Sequence, residues 1–412
     1  GSYGLAGSDM MGDMTSAANQ KKRFAYLQTY IQGSAFSTYF GEMTDQKKVS
    51  NYELGLLANA NLSWEKARKM NVGLDAVLFD NRLTFSIDYF REHRYDIITD
   101  LSGKNKLGFP YIAGQAAPLI NSGIVDNHGF EVELGWNGNI GRHFRYFIKP
   151  NVTFARNKVV FSNEITYIDS NGNPCPWRQE TGKRIGENID YIFDHFVRDD
   201  EEAAMLNAMN GGSGYGSWGR VIPGDVVYKD INGDGRVDNY DRAAVGNPRI
   251  PELQFGLPLG FQYKNLDFSM LFQGSALSSV QLTYGAVWDF PLFDQNRVGK
   301  VKKMHLQRWT PETAATAKYP ALHYGVNENN KNANSSLFLY NAAYMRLKNV
   351  EIGYSLPKKW LSKANIQNVR FYVQGLNLLT IDGMDDVDYD PEVKDGGGSW
   401  FPIQRVFNFG VN

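Results

Sequence analysis

The sequence predicts an all-β fold, a transmembrane antiparallel β-barrel wall with short turns at one end of its strands and long loops at the other. Three observations carry this. Apolar and polar residues alternate with period two through much of the chain. Several alternating segments reach the ~9–11 residues a tilted strand needs to cross a bilayer, against ~5–6 for an ordinary strand. Tight turns and long connections occur side by side, the asymmetry of an outer-membrane barrel.

The segment GFEVELGWNG puts Phe130, Val132, Leu134 and Trp136 on one face and Glu131 and Glu133 on the other. After a turn at Gly141, Phe144, Tyr146, Ile148, Val152 and Phe154 continue in phase. Pro150 interrupts them and predicts a bulge, because it has no N–H for the ladder. A second hairpin runs from Leu253 to Tyr263 and back from Leu266 to Phe272 around Lys264-Asn265. Roughly eleven or twelve strands are expected. Their approximate cores are 2–6, 24–34, 66–79, 82–95, 128–138, 143–157, 186–196, 252–263, 266–276, 339–356, 368–379 and 403–412. Tight turns fall at 80–81, 139–142 and 264–265, and long connections near 96–127, 158–185, 197–251 and 277–338. One short helix is expected at 200–209. Tyr89, Trp136, Tyr146, Tyr263 and Tyr354 stand near strand ends, where aromatic girdles form. A soluble β-sandwich with one wet face also alternates, but the strand lengths and these aromatics argue against it.

Composition narrows the function classes. With 43 basic and 44 acidic residues in 412, the net charge of -1 offers no basic face for nucleic acid. The 14% aromatic content and 41 glycines suit strands and turns. Cys175 is the one cysteine, so an intrachain disulfide and a zinc cluster are both excluded. No segment approaches the ~18–20 apolar residues of a membrane helix. Passage through lipid would therefore need a closed barrel. The opening GSYGLAGSD reads as mid-strand, with no signal peptide, so a fragment of a longer protein is expected.

The sharpest local motif is DINGDGRVDNYD, residues 230–241. A calcium loop of the EF-hand type takes oxygen ligands at positions 1, 3, 5, 9 and 12, a carbonyl at 7, and glycine at 6. Those slots hold Asp230, Asn232, Asp234, Asp238 and Asp241, the carbonyl of Arg236, and Gly235. Hard oxygen donors on a flexible loop suit calcium better than zinc, and magnesium prefers tighter octahedral geometry. The last ligand is Asp where Glu is usual, which shortens its reach. The competing reading is an Asp/Asn/Gly-rich surface turn that binds nothing. With no helices flanking the loop, the ion is expected to be structural, pinning a long external loop. No organic cofactor is expected.

Catalytic arrangements do not emerge. The six histidines sit in no HExxH pattern, and there is no GxSxG, P-loop or helix-opening GxGxxG. Glu131 and Glu133 share a strand face about 7 Å apart, as lumenal charge would. The chain is therefore not expected to be an enzyme. For cargo contact the candidates are Tyr215, Trp218, Trp288 and Trp177, whose rings can stack on sugars or on apolar side chains, or simply pack loops together.

Several segments, in order, resemble the SusC/RagA family of TonB-linked outer-membrane transporters of Bacteroidetes. They are NLSWEKARKMNVGLD (61–75), NRLTFSIDYFREHRYDII (81–98), NSGIVDNHGFEVELGWN (121–137) and GDVVYKDINGDGRVDNYDRAAVGNPRIPELQFGL (224–257). RWTPE (308–312), FLYNAAYMRLKNVEIGYSLP (338–357), VRFYVQGLNLLT (369–380) and FPIQRVFNFGVN (401–412) follow. The resemblance implies the C-terminal half of a 22-stranded barrel with a plug in its lumen. It implies that the plug, the TonB box and the N-terminal extension lie outside this chain, and that the last strand is clipped. It further implies import of bulky oligosaccharides or peptides across the bacterial outer membrane. A SusD-like surface lipoprotein would be the lid, the TonB complex the energy source, and a dimer of such pairs the assembly. The alternatives are another TonB-dependent receptor, a passive porin, or a secreted calcium-dependent glycan-binding β-protein.

Overall fold

The computed structural model describes residues 1–8, 24–41, 47–55, 57–100, 118–216, 218–287, 302–322, 329–330, 335–362, 366–384, 387–398 and 400–412. The first half contains β1 (Ser2–Ser8), β2 (Tyr30–Phe40), β3 (Lys47–Leu54), β4 (Glu65–Leu78), β5 (Leu83–Asp100), β6 (Leu119–Ile140), β7 (Phe144–Ile148) and β8 (Asn151–Phe161). Next come β9 (Asn188–Tyr191), β10 (Phe193–Phe196), α1 (Asp200–Gly212), β11 (Val226–Tyr228), β12 (Arg242–Val245), β13 (Leu253–Tyr263) and β14 (Leu266–Ala276). The chain continues with β15 (Ser279–Gln281), β16 (Leu339–Asn341), β17 (Tyr344–Ser355), α2 (Lys358–Leu361), β18 (Arg370–Asp382) and β19 (Val406–Val411).

Eleven strands make one antiparallel sheet in the order β1-β4-β5-β6-β7-β13-β14-β17-β18-β19, with β8 also between β6 and β13. β7 and β8 are two halves of one crossing, broken at Lys149-Pro150 as the missing proline N–H requires. Register follows the alternation. Phe85, Ile87 and Tyr89 oppose Leu134, Val132 and Phe130, while Ser86 and Asp88 oppose Glu133 and Glu131 on the other face. Leu257, Leu259 and Phe261 likewise oppose Phe272, Met270 and Phe268. One face of the sheet is thus apolar yet uncovered: Val373, Ile352 and Phe409 are exposed. Such a face belongs in lipid. No helix of the described residues is long and apolar enough to cross a membrane, which says nothing against crossing by strands.

The turns separate by side. Phe79–Asn81, Gly141 and Lys264 make tight reversals with positive φ at one end of the sheet. The connections between β8 and β13, and between β14 and β17, leave from the other end. There, with the connection between β18 and β19, they fold into a body with two apolar cores. One gathers Val197, Leu206, Tyr215, Val226, Tyr228 and Val237, and the other Val280, Leu282, Met304, Phe338, Met384 and Val387. Leu337 packs against both.

Four expectations need correction. Residues 186–196 are not a wall strand: β9 and β10 pair with β12 and β11 inside the loop body. The strand expected at 24–34 begins at Tyr30 and pairs with β3 in a separate two-stranded sheet, and Phe24 through Leu27 form a turn. The connection near 96–127 is shorter, because β5 runs to Asp100 and β6 starts at Leu119. The segment 339–356 is two strands, β16 and β17, in different sheets. In each case the strand pairing decides the outcome, with the next strand for β2 and β5 and with more distant chain for β9, β10 and β16.

Candidate functional site

The 230–241 loop joins β11 to β12, whose partners β10 and β9 are consecutive in sequence. The two ends of the loop are therefore fixed by one short β segment. Gly233 and Gly235 take φ of 74° and 81°, conformations that cost other residues strain. Asp230 accepts from the Gly233 and Gly235 amides at 2.7 and 2.8 Å. Asn232 Oδ1 accepts from Asp234 N at 3.1 Å, and Asp234 Oδ1 from Arg236 N at 2.9 Å. Asp238 accepts from Tyr240 N at 2.8 Å. Asp241 closes the loop, taking Ile231 N at 2.7 Å on one oxygen and Asp238 N at 2.8 Å on the other. It is fully buried, and burial pushes its carboxyl above the usual range although backbone amides oppose the shift.

A further carboxylate comes from the preceding connection. Asp169, itself buried, accepts from Asn171 and Asn173 amides at 2.9 and 2.8 Å. The Asn232 amide nitrogen lies between Asp234, at 3.0 Å, and Asp169, at 3.3 Å. The donor chemistry fits calcium: oxygens throughout, rich in carboxylate, on a glycine-hinged loop. Among the described residues, however, no three His, Cys, Asp or Glu side chains converge as they would around an ion. The carboxylates are spent on backbone N–H groups, and Oδ1 of Asp241 and Oδ1 of Asp169 each accept two of them. Asp169 carried no sequence signal of its own, since only the fold brings its Asp-Ser-Asn-Gly-Asn turn beside Asn232.

The aromatic candidates separate. Tyr215 is 3% exposed, with its hydroxyl 2.8 Å from both the Val226 carbonyl and Asn329 Oδ1, so it packs the loop core. Trp218 lies edge-on to Tyr191 at 4.9 Å and to Tyr228 at 5.2 Å between ring centroids. Trp177 donates to the Tyr240 carbonyl at 2.7 Å, tying the 162–187 connection to the metal-type loop. Trp288 lies outside the described residues.

An open cleft of ≈ 580 Å³ sits on the same body, lined by Phe193, Asp194, His195, Phe196, Arg198 and Trp309 among others. His195 bridges Asp194 at 2.7 Å and Glu202 at 3.1 Å, and Glu202 also holds Arg198 at 2.9 Å. Glu202 is buried at the start of α1, where the Arg198 guanidinium, the Arg198 amide and His195 together pull its carboxyl down to about 2 despite burial. Sequence patterning gave this cleft no mark, because the fold sets Trp309, Ala314 and Ala317 against residues 193–198, more than one hundred positions away.

On the opposite, lumenal face of the wall, Arg370 crosses three strands. It meets Asp267 with Nε at 3.1 Å and Glu351 with Nη2 at 2.6 Å. It does so by lying over Gly353, where any Cβ would fall 2.2 Å from the guanidinium. These are polar lining groups, and no acid–base constellation is built from them.

The chain is matched over residues 23–378 by the family described as TonB dependent receptor-like, beta-barrel. The TonB-dependent receptor P3 of Formosa agariphila is 26% identical over 435 residues, covering 100% of this chain and 41% of the relative. TonB-dependent receptor SusC of Bacteroides thetaiotaomicron is 25% identical over 418 residues, covering 100% of this chain and 36% of the relative. Among solved structures, the RagAB peptide importer in its open-open state superposes with a TM-score of 0.67 at 19% identity, over 99% of this chain and 39% of that one. The chain thus spans about two fifths of the length of these relatives.

Proposed function

Because the chain belongs to the TonB-dependent receptor-like β-barrel family, we propose that it forms part of the barrel of an active importer of bulky nutrients. It is an outer-membrane barrel of the SusC/RagA type. The observation that carries the transport reading is the division of the molecule. A lipid-suited wall with polar lining ends, on one side only, in a large folded loop body. A wall alone suits a porin; a loop body with two cores of its own suits a receptor that captures cargo before passage.

In this reading the cargo is an oligosaccharide or peptide, captured between the loop body and a SusD-like surface lipoprotein, in an assembly that pairs two such complexes. TonB then displaces a plug supplied by sequence outside this chain. The cleft at Phe193, Phe196 and Trp309 offers apolar surface rimmed by charge, a better cargo contact than Tyr215. The residues of the wall bind and pass; we assign them no bond chemistry. The 230–241 loop holds calcium as a structural ion through Asp230, Asn232, Asp234, the Arg236 carbonyl, Asp238 and Asp241, with Asp169 beside it. Calcium would replace backbone donors and offset the entropy of ordering the loop.

The test is growth of the source bacterium on single glycans or on peptides as sole nutrient, with the complete receptor gene present or deleted. Loss of growth on one such nutrient is expected, together with the same loss on deleting tonB. Growth that survives deletion of tonB but not of the receptor would replace active import with passive flow.

A further inference from the structure

We propose that Arg178 and Arg242 form a binding site for one small oxyanion, a carboxylate or a sulfate, in the loop body. Arg178 ends a single helical turn, Pro176–Arg178, that packs on β12, and β12 begins at Arg242. Arg178 is 8% exposed. Its guanidinium lies over the Tyr167 ring, 4.9 Å from the centroid, and its Nε is enclosed with no acceptor. No carboxylate among the described residues pairs with it. Arg242 stands over the Tyr191 ring at 5.7 Å and reaches Asp190 at 3.2 Å and Asn239 at 3.4 Å, but its Nε is also enclosed without an acceptor. Among the described residues, then, only Arg242 of the two has a carboxylate partner, Asp190.

A guanidinium cannot shed its charge to escape burial. An enclosed cation without an acceptor is among the costliest arrangements in a protein, and a second cation beside it adds repulsion. Indeed burial and the Arg242 charge both disfavour the Arg178 cation. Lys183, nearby, does not share the vacancy in acceptors, because it donates to the Trp177 carbonyl. A planar or tetrahedral oxyanion would supply acceptors to both Nε groups and cancel the excess charge, which is the pairing guanidinium forks are shaped for. The Tyr167 and Tyr191 rings orient the two guanidinium groups, and the ligand is a single acid group. It is either a free ion or the acid group of a larger molecule. The site borders the 230–241 loop, since Arg242 follows Asp241 and donates to Asn239, but it uses none of the residues assigned to calcium.

The experiment uses the complete receptor purified in detergent. Hydrogen exchange of peptides covering 164–184 is followed while sodium sulfate is titrated against sodium chloride at equal ionic strength. Saturable protection by sulfate and not by chloride is expected. In Arg178→Met the midpoint should weaken by about tenfold or more, the worth of one charge-assisted contact. Arg178→Lys should retain part of the response. If Arg178→Met does not fold, Arg242→Gln serves the same comparison. A uronate-bearing oligosaccharide and its neutral carboxyl-reduced form make the second arm. Competition with sulfate by the acidic form alone assigns the group to a larger ligand, and sulfate binding without competition assigns it to a free ion. Equal responses to sulfate and chloride, or an unchanged response in both arginine variants, would overturn the site.

Discussion

Glu202 shows how single side chains set the chemistry of the loop body. Its carboxyl is held at about 2 in the folded protein, against 4.5 when free, chiefly by Arg198. A depressed carboxyl contributes stability above its unfolded value and loses it as pH falls through the folded one. We therefore expect the start of α1 to weaken between about pH 4.5 and pH 2, read by protease cutting of the 190–245 region. Glu202→Gln should be weaker at neutral pH and should lack that acid-dependent component; an unchanged acid profile would reject the assignment. Arg346 plays the matching part at the other core. It is 1% exposed and joins Asp390 at 2.5 Å, Glu392, and Thr380 at 2.9 Å. Through it the 383–398 connection is fastened to β17. Removing one partner of a buried cluster leaves uncompensated charge, so Arg346→Met should cost about 3 kcal/mol locally. Hydrogen exchange in peptides covering 383–398 should rise accordingly, while that of β4 and β5 should not move. Lysine offers one ammonium in place of the fork and should rescue only in part.

At the scale of elements, the wall was legible in the sequence and the loop body was not. Alternation in 130–136, 253–263 and 266–272 carries its own register, because every second side chain must face lipid. Pro150 marked the break between β7 and β8 for a reason internal to one residue. The loop body has no such period. Val226 N bonds Asn330, and Asp225 bonds the Asn330 amide, across more than one hundred residues. No local pattern announces contacts of that range. The 230–241 loop is intermediate: its spacing was legible, while its neighbour Asp169 depended on the fold. Calcium should slow protease cutting within 224–245, and a chelator should reverse this. Asp230→Ala should abolish the calcium effect, and Asp169→Ala should shift its midpoint to higher calcium. If cutting is the same with calcium and with chelator, the loop is a hydrogen-bonded turn that holds no ion.

At the largest scale the governing fact is that the sheet formed by the described residues does not close on itself. Among the described residues, β1 pairs only with β4 and β19 only with β18, leaving one edge of each without a partner. Their side chains give no protection: Tyr3, Leu5, Phe407 and Phe409 are all exposed apolar groups. In water such an edge is a template for aggregation. In lipid each unpaired N–H or C=O costs several kcal/mol, so an open wall cannot persist there. The loop body does not relieve this, since its cores lie beyond the strand ends and cover neither edge. In the reading proposed above closure comes from further strands, and relatives more than twice as long as this chain have room for them. The 412 residues refolded alone in detergent should therefore give aggregates, with no compact band that shifts on boiling. The complete receptor should give that band, and should keep β1 and β19 protected from hydrogen exchange. A monodisperse, boiling-sensitive species from the 412 residues alone would mean that the two edges pair with each other. The barrel would then be a small one of about ten crossings, too narrow for a plug or a bulky cargo.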